Sequence, residues 1–130
     1  MEHIVASQLM THLERHDILS SKQHGFRKHK STISQLLITS NDLATNLNSR
    51  SQTDCILLDF SKAFDRVSHE HLLYKLDYYG IRGKHLKWTK SFLTDRLQRV
   101  VIDGNASDFV KVHSGVPQGT VLGPFSSYVL

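Results

Sequence analysis

The stretch Thr53-Asp54-Cys55-Ile56-Leu57-Leu58-Asp59-Phe60 constrains the fold more than any other part of this chain. It is short, apolar on both alternating sets and bounded by polar residues, the pattern of a β-strand covered on both faces. A strand of that kind needs neighbours beside it and helices above or below it, so the expected class is α+β, with helices packed on a small antiparallel sheet. The chain has 130 residues, 39% of them hydrophobic and 22% charged. That suits one modest globular domain and is too short for two independent cores.

Several classes of function are excluded by composition. The longest apolar runs, such as Cys55 to Leu58 and Val121 to Leu122, are far below the roughly 20 residues that a membrane-spanning helix needs. Met1-Glu2-His3 opens neither a secretory signal nor an Arg-rich transit peptide. A single cysteine, Cys55, permits no internal disulfide, fits a reducing compartment and excludes a Cys-rich zinc module. The net charge is +4 and the basic residues are unevenly placed. Lys22, Arg27, Lys28 and Lys30 share one stretch without an acid, while Arg82, Lys84, Lys87, Lys90, Arg96 and Arg99 are offset only by Asp95. Two readings stand: a solvated, solubilising face, or a surface that attracts polyanions through phosphate contacts.

Periodicity places the remaining elements. Val5, Leu9, His12, Leu13 and His16 recur at helical spacing, predicting an amphipathic helix from Met1 to about Ile18. Leu19 to Lys30 breaks that pattern, with Gly25 as the expected site of a positive φ. Ser31-Thr32 followed by Gln35 resembles a capping box that opens a second helix through Ile33, Leu36, Leu37, Leu43 and Leu47. Ser68 can cap a third helix with Leu72, Leu73, Leu76 and Tyr79 as its stripe and Gly80 as its stop. A fourth runs from about Lys84 to Asp95, with His85, Trp88, Phe92 and Leu93 on one side and Lys84, Lys87 and Lys90 forming a ridge toward solvent. Val100-Val101-Ile102 and Phe109-Val110-Lys111-Val112 flank the turn Asp103-Gly104-Asn105 as a β-hairpin, whose first strand carries Arg99. Ser114-Gly115-Val116-Pro117-Gln118-Gly119 is a punctuated loop, and Gly123-Pro124 opens a final helix at Phe125.

Asp59 stands where the buried strand should emerge. A carboxylate there, beside the carbonyl of Phe60, is suited to a hard cation such as Mg²⁺, which takes oxygen ligands; a helix N-cap or a surface ion pair is the plainer alternative. Nine histidines are present, among them His12 and His16 at i, i+4 and the pair His69 and His71, yet no His-Glu-x-x-His zinc signature occurs. His69 is expected to orient or cap the helix that follows, and Trp88, Phe92 and Leu93 read as helix-core residues rather than a base-stacking platform.

The run from Leu58 to His69, Leu-Asp-Phe-Ser-Lys-Ala-Phe-Asp-Arg-Val-Ser-His, resembles palm motif A of the reverse transcriptases of non-LTR (LINE-type, jockey-like) retrotransposons. Ser114 to Pro124 resembles motif B of the same family, and Gln23 to Arg27 with Ser31-Thr32 its finger-region motif. The three lie in the family's order and cover nearly the whole chain. The resemblance implies a partial fingers-palm of a right-hand polymerase fold, with about residues 1–52 fingers-like and 53–130 palm-like. It implies templated nucleotidyl transfer from deoxynucleoside triphosphates on an RNA template and a DNA primer, with Mg²⁺ (or Mn²⁺) as cofactor.

The resemblance also assigns roles. Asp59 is the catalytic and metal-binding acid, and Phe60 offers its backbone carbonyl to one metal ion. Phe64 stands at the steric gate against a ribose 2′-OH, a core aromatic being the alternative. Asp65 supports the site by hydrogen bonding rather than by metal ligation. Gly115, Pro117, Gln118 and Gly119 approach the incoming nucleotide, and Arg27, Lys28 and Lys30 contact template or phosphate; the ridge of Lys84, Lys87 and Lys90 is expected to contact nucleic-acid phosphates through its charge alone. The family's motif C supplies an Asp-Asp pair, and no Asp-Asp occurs in this sequence, so half of the expected carboxylate cage is missing. The chain therefore reads as a fragment whose complete parent is the polymerase, or as a nucleic-acid-binding remnant in which Asp59 is idle. A nuclear or cytoplasmic setting follows from the family alone, and the sequence leaves the oligomeric state open.

Overall fold

The computed structural model describes residues 2–117, 119, 120 and 123. They form four helices, α1 (Glu2–Arg15), α2 (Thr32–Asn48), α3 (His69–Tyr78) and α4 (Gly83–Leu93), then four two-residue strands. These are β1 (Leu97–Gln98), β2 (Val101–Ile102), β3 (Asn105–Ala106) and β4 (Val110–Lys111). The class is α+β, as expected. Two compact units result: Met1–Ile18 with Ser61–Leu130, and Leu19–Phe60.

The first unit holds the core. Val5, Ala6, Leu9 and Leu13 share one buried face of α1, and Val67, Leu72, Leu76, Ile81, Leu93 and Val116 are also buried. α1 ends before the expected Ile18 because Asp17 turns left-handed at φ 50°. Ile18 N–H then reaches back to the Leu13 carbonyl at 3.0 Å, a six-to-one closure that satisfies a carbonyl at the helix end. α3 closes the same way, with Gly80 at φ 83° and Ile81 N–H on Leu76 O at 2.9 Å. Its N-cap is Ser68, as expected, whose hydroxyl accepts from His71 N–H. The Tyr79 carbonyl at its C-terminal end accepts from His12 Nε2–H at 2.7 Å, which joins α1 to α3.

α3 packs on α4. On α4 the buried residues are Thr89 and Leu93, while Trp88 and Phe92 are half-buried and stack with centroids 5.3 Å apart. His85 is exposed rather than part of the inner stripe and donates to Gln8 Oε1 at 2.9 Å. The helix stops at Leu93, not Asp95, because Thr94 is already extended at φ −90° and ψ 163°, and Asp95 follows with a left-handed φ of 58°.

The hairpin differs from its expected pairing. Asp103 at φ 48° and Gly104 at φ 81° form a two-residue turn of the type that suits strand twist. Val101–Ile102 therefore pairs with Ala106 and Asn105, and Leu97–Gln98 pairs with Lys111 and Val110. The register slips by one residue between the two ladders, as a bulge requires. Arg99 lies in that interruption, outside any strand, with its guanidinium 4.8 Å from the Phe109 ring centroid.

In the second unit, Ser31 is the N-cap of α2 and Ser34 completes the capping box, so the reciprocal partner is Ser34 rather than Gln35. The positive φ values of the 19–30 loop fall at Phe26 (55°) and His29 (61°), not at Gly25. His29 sits at the third position of a turn closed by Lys30 N–H on Arg27 O at 3.3 Å, and it is this bond, not a glycine, that fixes the φ there. No residue of α2 is buried.

The expected central strand does not form. Thr53 to Phe60 joins no strand ladder and is exposed throughout, with Leu57 at 90% and Leu58 at 84%. The physical reason is the absence of a partner: among the described residues no strand hydrogen-bonds to it, and an unpaired strand leaves its own N–H and C=O groups without a ladder.

Candidate functional site

The site is built outward from a tight turn. After Phe60 the chain winds through residues 61–66, with Asp65 and Arg66 N–H both on Lys62 O at 3.1 Å and Lys62 at φ 55°. The loop that follows β4 is fastened onto this turn by backbone bonds. Gly115 N–H donates to Val67 O at 2.8 Å and Val116 N–H to Phe64 O at 3.0 Å. Ser114 Oγ–H donates to Asp65 O at 3.0 Å. Segments some fifty residues apart in sequence thus form one continuous surface.

Gly115 permits the approach. Its φ is 82°, and a Cβ at that position would lie 2.7 Å from Asp65 O and 2.9 Å from Asp65 Cα. Both are backbone atoms that cannot swing aside, so only glycine fits.

The carbonyl of Gly115 takes two donors. His69 Nε2–H and an Arg96 Nη2–H each reach it at 2.7 Å. Arg96 Nε–H is bound in turn to Leu93 O, at the C-terminus of α4, at 2.9 Å. Burial pushes the Arg96 guanidinium below its ordinary pKa, because desolvation disfavours the charged form, yet an arginine remains cationic. Beside this junction lies a cleft of about 490 Å³ whose lining includes Arg96, Lys111, His113, Ser114 and Pro117. Lys111 also pairs with Asp95 at 3.4 Å, an exposed contact of little stabilising value.

The expected site residues fall in three groups. Phe64 (half-buried), Asp65 (exposed), Gly115 (buried) and Pro117 (half-buried) gather at the turn and loop just described. Gly119 follows at φ 77° with open space around it, and the Pro117 carbonyl accepts from Thr120 Oγ1–H at 2.7 Å. Gln118 lies outside the described residues, as does the helix expected from Phe125.

Asp59 and Phe60 are exposed on the unpaired 53–60 segment, and no described residue hydrogen-bonds to the Asp59 carboxylate. Of the basic residues, Lys84, Lys87 and Lys90 are exposed on α4, and Lys28 is exposed on its loop. Arg27 donates to Ser20 O at 3.2 Å and Lys30 Nζ donates to Ser21 O, so both help to hold the 19–30 loop together.

Metal binding can be tested on the donor set. Among the described residues, no three His, Cys, Asp or Glu side chains gather where an ion could be held. His12 and His16 each direct a ring nitrogen at a backbone carbonyl, of Tyr79 and His12 respectively.

Sequence reasoning missed Arg96, which it counted only within a basic run. Its signal was position: it stands three residues beyond the last residue of α4, where unsatisfied helix carbonyls need donors.

The family model for reverse transcriptase (RNA-dependent DNA polymerase) matches residues 1–129. The chain is 35% identical over 124 residues to the RNA-directed DNA polymerase from mobile element jockey of Drosophila melanogaster, covering 95% of this chain and 13% of that protein. It is 31% identical over 129 residues to the probable RNA-directed DNA polymerase from transposon BS of the same fly, covering 95% and 14%. A third relative, the retrovirus-related Pol polyprotein from type-1 retrotransposable element R2 of Popillia japonica, is 33% identical over 69 residues, covering 53% and 11%. The chain thus spans about an eighth of the length of these curated relatives. No solved structure matches it.

Proposed function

The chain belongs to the reverse transcriptase family, and on that premise we propose that it supplies part of the fingers (about residues 1–52) and palm (about residues 53–130) of an RNA-directed DNA polymerase. One observation carries this reading: the turn at 61–66 and the loop at Ser114–Pro117 are bound into a single surface by Gly115 and Val116 N–H and by Ser114 Oγ–H. These are the segments that resemble motifs A and B, which must face one nucleotide.

In this reading Phe64 crowds a ribose 2′-OH and so selects deoxynucleotides, specificity by exclusion. Gly115 and Gly119, with Pro117 between them in sequence, let backbone approach the nascent base pair, Gln118 hydrogen-bonds near the incoming nucleotide's sugar or base, and Asp65 holds the loop through its carbonyl, which accepts from Ser114. Lys84, Lys87 and Lys90, with Arg27, Lys28 and Lys30, meet the phosphates of an RNA template and a DNA primer. Asp59 is the catalytic acid, with the Phe60 carbonyl beside it. The family uses divalent metal ions, Mg²⁺ or Mn²⁺ in this proposal. The described donors do not fit a two-ion site, since no cluster of carboxylates forms around Asp59, and no step is assigned to a metal.

That same observation favours a second reading for the 130-residue chain itself: it binds nucleic acid without extending it. The test is fluorescence anisotropy with a labelled RNA–DNA hybrid, alongside primer extension in Mg²⁺ and in Mn²⁺. Expected are salt-sensitive binding and no extension. Template-dependent product that Asp59→Asn abolishes would assign the full reaction to this chain. Absence of binding at low salt would overturn nucleic-acid recognition in both readings.

A further inference from the structure

The Gly115 carbonyl is the point where three elements meet. It accepts at 2.7 Å from His69, the first residue of α3, and at 2.7 Å from Arg96, which follows α4. Arg96 is also fixed by Nε–H on Leu93 O at 2.9 Å. The two donors of one planar guanidinium therefore tie the end of α4 to the start of the Gly115–Gly119 loop, and the plane of the group sets the angle between them. Gly115 cannot shift further toward Asp65, whose backbone it already lies against. Nor can its neighbours rotate freely, because Gly115 N–H and Val116 N–H are held by Val67 O and Phe64 O.

From this geometry we infer that Arg96 is a positioning residue: it sets the backbone path at Gly115–Pro117, and with it the affinity of that segment for a nucleotide. The inference rests on the nucleotide-binding reading of the loop given above, and it adds a residue which that reading does not contain. Arg96 touches no substrate in this scheme and acts through the Gly115 carbonyl. A lysine keeps the positive charge but has a single ammonium, which cannot hold Leu93 O and Gly115 O in the fixed fork of a guanidinium.

The test uses the full 130-residue chain as wild type, Arg96→Lys and Arg96→Gln, with residue-resolved amide hydrogen exchange and titration of dTTP. The Val116 amide reports the loop and the Leu76 amide reports α3. In both variants exchange at Val116 is expected to rise about tenfold relative to Leu76, the effect of losing one charge-assisted hydrogen bond, and dTTP is expected to bind about tenfold more weakly. A purely structural arginine would instead accelerate Val116 and Leu76 together. That outcome, unchanged exchange at Val116, or restoration by Arg96→Lys would each overturn the inference. Unchanged dTTP affinity despite a loosened loop would also overturn it. Failure of the wild type to bind dTTP would count against the nucleotide-binding reading, whereas the exchange ratio would still decide whether Arg96 holds the loop.

Discussion

Replacing Gly115 with alanine separates two costs that usually arrive together. Gly104 and Gly115 have nearly the same backbone torsion, φ 81° and 82°, but a Cβ on Gly104 meets open space, whereas one on Gly115 lies 2.7 Å from Asp65 O. The torsional penalty of placing an L-residue in the left-handed region, about 1–2 kcal/mol, is therefore common to both. At Gly115 the backbone must also part from Asp65 until the contact is relieved. That parting strains or breaks Gly115 N–H on Val67 O and Val116 N–H on Phe64 O, each worth about 1 kcal/mol. Gly104→Ala should thus destabilise by about 1–2 kcal/mol. Gly115→Ala should destabilise by about 3–4 kcal/mol, the sum of the torsional and hydrogen-bond terms. Urea unfolding of the full chain, followed by far-ultraviolet circular dichroism, measures both, provided that the m-values of the variants agree. Equal costs for the two variants would refute the close approach of loop and turn on which the candidate site is built.

Three further outcomes are expected. Lys84→Gln, Lys87→Gln and Lys90→Gln combined should lower the slope of log binding against log salt by about 2–3 for duplex ligands, read by anisotropy across a salt series; an unchanged slope would place the phosphates elsewhere. Leu76→Ala removes a fully buried side chain and should cost about 2–5 kcal/mol in urea unfolding, and a loss below about 1 kcal/mol would mean that Leu76 is not in the core. His12→Ala leaves the Tyr79 carbonyl without its ring donor and should cost about 1 kcal/mol, so a neutral result in the same unfolding assay would remove that bond from the account of how α1 is held.

What was legible in the sequence follows the range of the forces involved. α3 was readable at both ends because its signals are local: a Ser68 hydroxyl within reach of the His71 N–H, a stripe of leucines, and Gly80 where a left-handed residue is required. Where the readings failed, the deciding contact lay elsewhere in the chain or in a hydrogen bond that leaves no mark on residue type. His29 takes a positive φ because a turn closes around it, and Asp103 shares the left-handed pair with Gly104, which shortens the hairpin and shifts its register. The 53–60 run shows the limit most plainly. Its apolar residues say that such a segment fits between two covered faces, but a strand is a statement about neighbours, and no described strand pairs with it.

The two halves of the motif A region therefore differ in what sustains them. Residues 61–69 are held by bonds within their own unit, to Lys62, Gly115, Val116 and Ser114. Among the described residues, the 53–60 half makes side-chain bonds near its start, where Thr53 Oγ1 accepts from Asn46 and Asp54 accepts from Gln52. In the polymerase reading proposed above, Asp59 would have to be fixed in direction to serve a reacting atom, and it lies in the 53–60 half. In the same reading phosphate contact needs only charge presented to solvent, and Lys84, Lys87 and Lys90 are exposed on α4. The proposed phosphate contacts and the proposed catalytic acid therefore rest on different residues and are tested by different variants. The Gly115 and Val116 backbone is bonded to Arg96, His69, Phe64 and Val67, none of which lies in the segment that carries Asp59.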